Sequence, residues 1–85
     1  MPVISRFHGL TVMMYQRGKE HNPPHVHIKD KDGHCGVFSF GGVLLCDTDL
    51  SPKEVSDAME WISLHSAELN TMWDTQDFVK LAPLE

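Results

Sequence analysis

His21-Asn22-Pro23-Pro24-His25-Val26-His27-Ile28-Lys29-Asp30 is the stretch on which the reading of this chain turns. Asn22 precedes a proline and is pushed out of helical geometry, and Pro23-Pro24 continue as stiff, extended backbone. Proline has no N–H for a ladder, so the segment belongs at the start of a strand or on a sheet edge. His25 to Asp30 then alternates. His25, His27 and Lys29 fall on one face, and Val26, Ile28 and Asp30 on the other.

Asp32-Gly33 predicts a hairpin. A two-residue loop pairs Lys31 with His34. Ile28 then faces Val37, His27 faces Phe38 and His25 faces Phe40. This register turns Val26, Ile28, Cys35 and Val37 toward the core and leaves His25, His27, His34, Phe38 and Phe40 on the opposite face. A longer loop would shift the partners, and a slip of one residue would reverse the assignment.

Upstream, Val3 to Phe7 reads as a short strand, His8-Gly9 as a turn, and Leu10 to Tyr15 as a central strand apolar on both faces. Gln16 to Glu20 reads as a polar loop. Downstream, Gly41-Gly42 is a turn and Val43 to Asp47 the last strand. Ser51-Pro52-Lys53-Glu54 is a capping box with proline in the first helical position. Val55, Ala58, Met59, Ile62, His65, Leu69, Met72 and Trp73 then recur at helical period. They predict one helix from about Pro52 to about Gln76, roughly 37 Å long at 1.5 Å per residue. The expected fold is α+β: an antiparallel sheet of four to five strands on one long C-terminal helix, in one domain over residues 1–85. A strand of five or six residues spans only about 20 Å. The helix should therefore overhang the sheet and leave Met72 and Trp73 for a homodimer or a small protein partner. Ala82 to Glu85 reads as a loose tail.

The chain has 85 residues, 41% of them hydrophobic, and a net charge of −5. That charge argues against a simple nucleic-acid binder. Its distribution is uneven. Residues 1–31 sum to +3, from Arg6, Arg17, Lys19, Lys29 and Lys31 against Glu20 and Asp30, whereas residues 32–85 sum to −8. The basic half suits an anionic ligand and the acidic half a basic partner, unless the acidity serves only solubility. No apolar run is long enough to span a bilayer, and no signal peptide is evident. Cys35 and Cys46 read as reduced thiols of a cytoplasmic protein, Cys46 as a small buried hydrophobe.

Three readings of the histidines stay open. His21, His25 and His27 could share a divalent metal, zinc or another, with two ligands from one strand and the third from across the diproline; His34 is a further donor across the hairpin. His25 and His27 with Lys29 could instead form a metal-free catalytic site that cleaves RNA, one ring as base, one as acid and an ammonium for the anion, so that the site reads as that of a metal- or histidine-dependent nuclease. Or the rings could hold backbone or a partner. His8 reads as exposed, and His65 as a satisfied, half-buried histidine. Met13, Met14, Met59 and Met72 read as core filler.

Ile4-Ser5-Arg6-Phe7 with Gly9, Met14-Tyr15, and the His21–His27 string together resemble a family of small bacterial domains of unknown function. The resemblance continues through Trp61, His65, Glu68-Leu69 and Trp73. It implies a compact bacterial protein encoded beside another small domain in toxin–antitoxin-like pairs, with no established activity. The chain departs from the family pattern by a longer loop before His21 and by His8 where an aromatic is usual.

Overall fold

The computed structural model describes residues 3–14 and 24–85. Four strands, β1 (Val3–Phe7), β2 (Leu10–Met13), β3 (His25–Asp30) and β4 (Cys35–Ser39), form one antiparallel sheet in the order β1-β2-β3-β4. The helix α1 (Pro52–Thr75) covers one face. Three helix–sheet features match the expectation closely: the α+β class, the central position of β2, and the start of α1. Ser51 Oγ accepts from Glu54 N at 3.2 Å while Glu54 Oε1 accepts from Ser51 N at 2.9 Å, so the capping box is closed on both sides. Tyr15 and the Gln16–Glu20 loop lie outside the described residues.

The β3–β4 register differs from the expected one by one residue. Ile28 pairs with Gly36, His27 with Val37 and Val26 with Phe38. The cause is the loop, which holds three residues. Asp30 N donates to His34 O at 2.8 Å, Gly33 N donates to Asp30 O at 3.3 Å, and Gly33 takes φ 89, as such loops require. Asp30 Oδ1 also accepts from the N–H groups of both Asp32 and His34, each at 2.9 Å. The side chain of the last β3 residue therefore selects the longer loop. The slip turns β4 over. Phe38 and Phe40 are buried on the helix side with Val26 and Ile28, while Cys35 is exposed and Val37 half-buried. Gly36 has no side chain for a reason: a Cβ there would stand 3.0 Å from both Phe38 Cε1 and Thr48 Oγ1.

Val43 to Asp47 is not a strand. It makes one bridge, Leu44 to Phe38, with Ser39 N donating to Val43 O and Leu45 N to Val37 O, each at 2.8 Å. This short run lies against the β4 edge. Val43 and Leu45 are exposed, and so is Cys46, against the expectation of burial; both cysteines are free.

The core joins Ile4, Leu10, Val12, Met14, Val26, Ile28 and Phe38 of the sheet side to Ala58, Trp61, Ile62, Leu69 and Met72 of α1. Trp61 was not in the expected stripe, yet it is fully buried and stacks on Phe7 with ring centroids 5.7 Å apart. Met72 is 4% exposed, and Trp73 packs against Phe40 and His25. Met72, expected at an exposed overhang, is covered by its own chain, while Trp73 is half-buried.

The tail is docked. Leu81 N donates to Ile4 O at 2.7 Å on the outer edge of β1. The Ala82 carbonyl accepts from Trp61 Nε1 at 2.9 Å and from His65 Nε2 at 3.0 Å. Phe78, Leu81 and Leu84 pack against the core. Truncation after Asp77 should therefore destabilise the domain rather than trim a free end. The hydrogen bond from the Trp61 indole to Ala82 is worth about 0.5–1.5 kcal/mol by itself, and the apolar cover of Phe78, Leu81 and Leu84 is lost with it. In a thermal melt each kcal/mol lowers the midpoint by about 4–8 °C; an unchanged midpoint would show that the tail contributes nothing.

Candidate functional site

β3 carries the candidate site on the face away from the helix. Its period of two brings His25 and His27 together, with ring centroids 5.1 Å apart at 62°. Both rings are half-buried. The next residue on this face, Lys29, is exposed and stands across from Thr11 of β2, which in turn faces Arg6 of β1. His27 lies between Met13 and Val37. Burial, and then the charge of His25, hold the His27 imidazolium below its ordinary pKa of 6.5, so His27 favours the neutral ring. Among the described residues, Lys29 and Arg6 join no salt bridge, and no carboxylate residue occurs among the strand positions that share this face. His21, the expected third metal ligand, lies outside the described residues.

The sheet's other end forms a second, acidic cleft of about 700 Å³ at the start of α1. His8 and Gly9 form the β1–β2 turn, both with positive φ, which swings the His8 ring onto the helix. His8 Nδ1 donates to Asp57 Oδ2 at 3.0 Å, and Lys53 Nζ donates to the same oxygen at 3.3 Å. The hydrogen bond from His8 outweighs burial and, with Lys53, holds the Asp57 carboxyl below its usual range. His8 is exposed as expected, but it ties a hairpin to the helix. Across the cleft His34 Nδ1 donates to Asp30 Oδ2 at 2.9 Å. His34 is thus held in the loop by Asp30, a correction to its placing beside His25 and His27. No sequence signal linked His8 to Asp57, which lie 49 residues apart; Asp30-x-Asp32-x-His34 could have been noticed, but only as a turn.

Donor atoms of Asp30, Asp32 and His34 lie within 4.8 Å of one another, the one such three-residue group among the described residues able to meet on a single ion. Their chemistry fits a metal poorly. Asp30 already accepts three hydrogen bonds. Burial pushes its carboxyl up, but the ring and backbone of His34 and the backbone of Asp32 together hold it below 3.8. The Asp30 hydrogen bond, then its charge, raise His34 above 6.5 and favour the protonated ring, which cannot ligate. Asp49 accepts Cys35 N at 2.9 Å, and Glu54 is spent on the helix cap. The cleft is accounted for by what it fastens.

The pair also sets a pH dependence. Asp30 is lowered in the folded state, so its contribution is present above about 4 and lost as pH falls through its folded value. His34 is raised, so its contribution is full below 6.5 and lost as pH rises through its folded value. The hairpin is firmest between those limits. Melting curves at pH 5 and pH 8 should show a loss toward pH 8 that shrinks in His34→Asn; an identical loss in the variant would rule His34 out as its source.

A family model described as a domain of unknown function (DUF4160) matches residues 9–74, more than three quarters of the chain. Neither a curated protein nor a solved structure matches it. Among the described residues no helix is long and apolar enough to cross a membrane. With its central strands, histidine pair and nearly all of α1 inside the matched span, this chain belongs to the DUF4160 family.

Proposed function

We propose that this domain acts on the phosphodiester backbone of RNA through the sheet face that lies away from its helix, as the histidine-bearing component of a toxin–antitoxin-like two-protein module. One observation carries the reading. His25 and His27 stand side by side with Lys29 and Arg6 on a sheet face whose paired strand positions hold no acid. The net charge of −5 does not oppose this, because the acids collect on the helix side and in the far cleft.

The chemistry needs a base, an acid and a cation within one phosphate's reach. His27, neutral by burial, takes the proton of a ribose 2′-hydroxyl. The freed oxygen attacks the adjacent phosphorus, and His25 gives a proton to the departing 5′-oxygen. The products are a 2′,3′-cyclic phosphate and a 5′-hydroxyl, with no net gain or loss of protons. Lys29 offsets the charge that builds on the phosphoryl oxygens.

A second reading uses the same rings as ligands. The neutral preference of His27 suits zinc held by His21, His25 and His27, with water in the fourth position. A third gives the acidic half, which sums to −8 over residues 32–85 and includes Glu60 and Glu68 on the helix, a basic protein partner.

RNA incubated with chelator-treated protein separates the first two. Cleavage should survive the chelator, fall by about 10²–10⁴-fold in His25→Ala or His27→Ala, and fall less in Lys29→Ala. Stoichiometric zinc with chelator-sensitive cleavage would replace the metal-free mechanism by the metal one. No cleavage in either state would defeat both.

A further inference from the structure

Resting on the phosphodiester reading, we infer that the nucleic acid this face takes is single-stranded and that one of its bases stacks on Trp73. Trp73 sits beside the first histidine of the β3 row. Its ring lies 5.5 Å from that of His25, tilted by 54°, and 6.0 Å from that of Phe40 in an edge-on contact at 83°. Phe40 is 7% exposed and belongs to the core, so it fixes the indole from the helix side. Trp73 itself is only half-buried.

The indole therefore closes one end of a line that runs His25, His27, Lys29 along a single strand. Alternate residues of a strand are about 7 Å apart, so the line from His25 to Lys29 covers about 13 Å. A polynucleotide backbone laid along it meets titratable rings and an ammonium, and at the His25 end a base meets an aromatic plane. That pairing of a cationic track with an aromatic platform is the usual way proteins hold single strands. A duplex keeps its bases stacked inside and has none to offer Trp73. Stacking is tolerant of base identity, so the site should show little sequence preference. Trp61, the other tryptophan, is fully buried and out of reach of a ligand.

The test uses the full chain and 2′-deoxy oligomers, which lack the nucleophile and stay intact. A short fluorescent oligodeoxyuridylate, an abasic oligomer of the same length and a duplex are titrated at low salt by anisotropy. The single strand should bind on the order of tenfold more tightly than the abasic oligomer and should quench tryptophan emission. The duplex should bind no better than the abasic chain. Trp73→Leu, which keeps apolar bulk against Phe40, should abolish the preference and the quenching. Trp73→Phe, which keeps a ring, should retain part of the preference and gives the answer if the leucine variant melts early. Equal affinity for the base-bearing and abasic oligomers, or a preference unchanged in both Trp73 variants, would overturn the stacking while leaving the phosphate reading in place. Absence of saturable binding by either oligomer would overturn both and leave the face to a protein partner.

Discussion

The β3–β4 loop depends on one carboxylate. Asp30 accepts from the backbone of Asp32 and His34 and from the His34 ring, so its side chain closes a three-residue connection where Asp-Gly alone suggests two. The consequence reaches well beyond the turn. A register set one residue away would put Cys35 and Val37 under the helix and leave Phe38 and Phe40 in solvent. With the longer loop, both phenylalanines enter the core and β4 presents Cys35, Val37 and Ser39 beside the histidines. Phe40 is then available to hold Trp73 next to His25. The candidate site thus owes its surroundings to a hydrogen-bonded loop at the opposite end of the strand.

Among the described residues one helix covers one face of the four-stranded sheet and the histidine pair stands on the other, and the charge follows that division. Apart from Asp30, which is bonded into its loop, the described strands carry no acid. The helix and its flanks carry nearly all of it. Several of those acids do structural work: Glu54 caps α1, Asp57 receives His8 and Lys53, and Asp49 receives Cys35 N. Acid residues engaged in this way are less free to attract a cation than their number suggests. The cationic face, by contrast, has Arg6 and Lys29 with no ion-pair partner among the described residues.

What the sequence made legible is what rests on local spacing. The capping box is an i to i+3 arrangement, and its two hydrogen bonds appear where the four residues Ser51 to Glu54 place them. β1 and β3 have their expected limits, and the two-residue period of β3 alone brings His25 beside His27. What it concealed rests on distant partners. The tail looked loose because its anchors, Trp61 and His65, come 21 and 17 residues before Ala82. The place of Met72 and Trp73 is hidden in the sequence because Trp73 packs on Phe40 and His25, 33 and 48 residues away. Trp61 escaped the stripe because Ala58, Met59 and Ile62 already satisfied the helical period. The widest part of the core shows that 58, 61, 62, 65, 69 and 72 is the buried line, with His65 half-buried on it.

The docked tail ties this buried line to the sheet. Ala82 offers one carbonyl to two rings of α1, while its neighbour Leu81 bonds the edge of β1. The outer edge of β1 therefore has a backbone donor on it, and the outer edge of β4 has the Val43–Leu45 run. Part of each outer edge is thus engaged by the chain itself, which discourages sheet extension there. The sheet face away from the helix carries the histidine pair. It has half-buried Met13 and Val37 around His27, enough apolar contact to exclude water from one side of that ring and lower its affinity for a proton. That environment favours the neutral imidazole at His27, beside the ring of His25 and two residues from Lys29, which joins no salt bridge among the described residues.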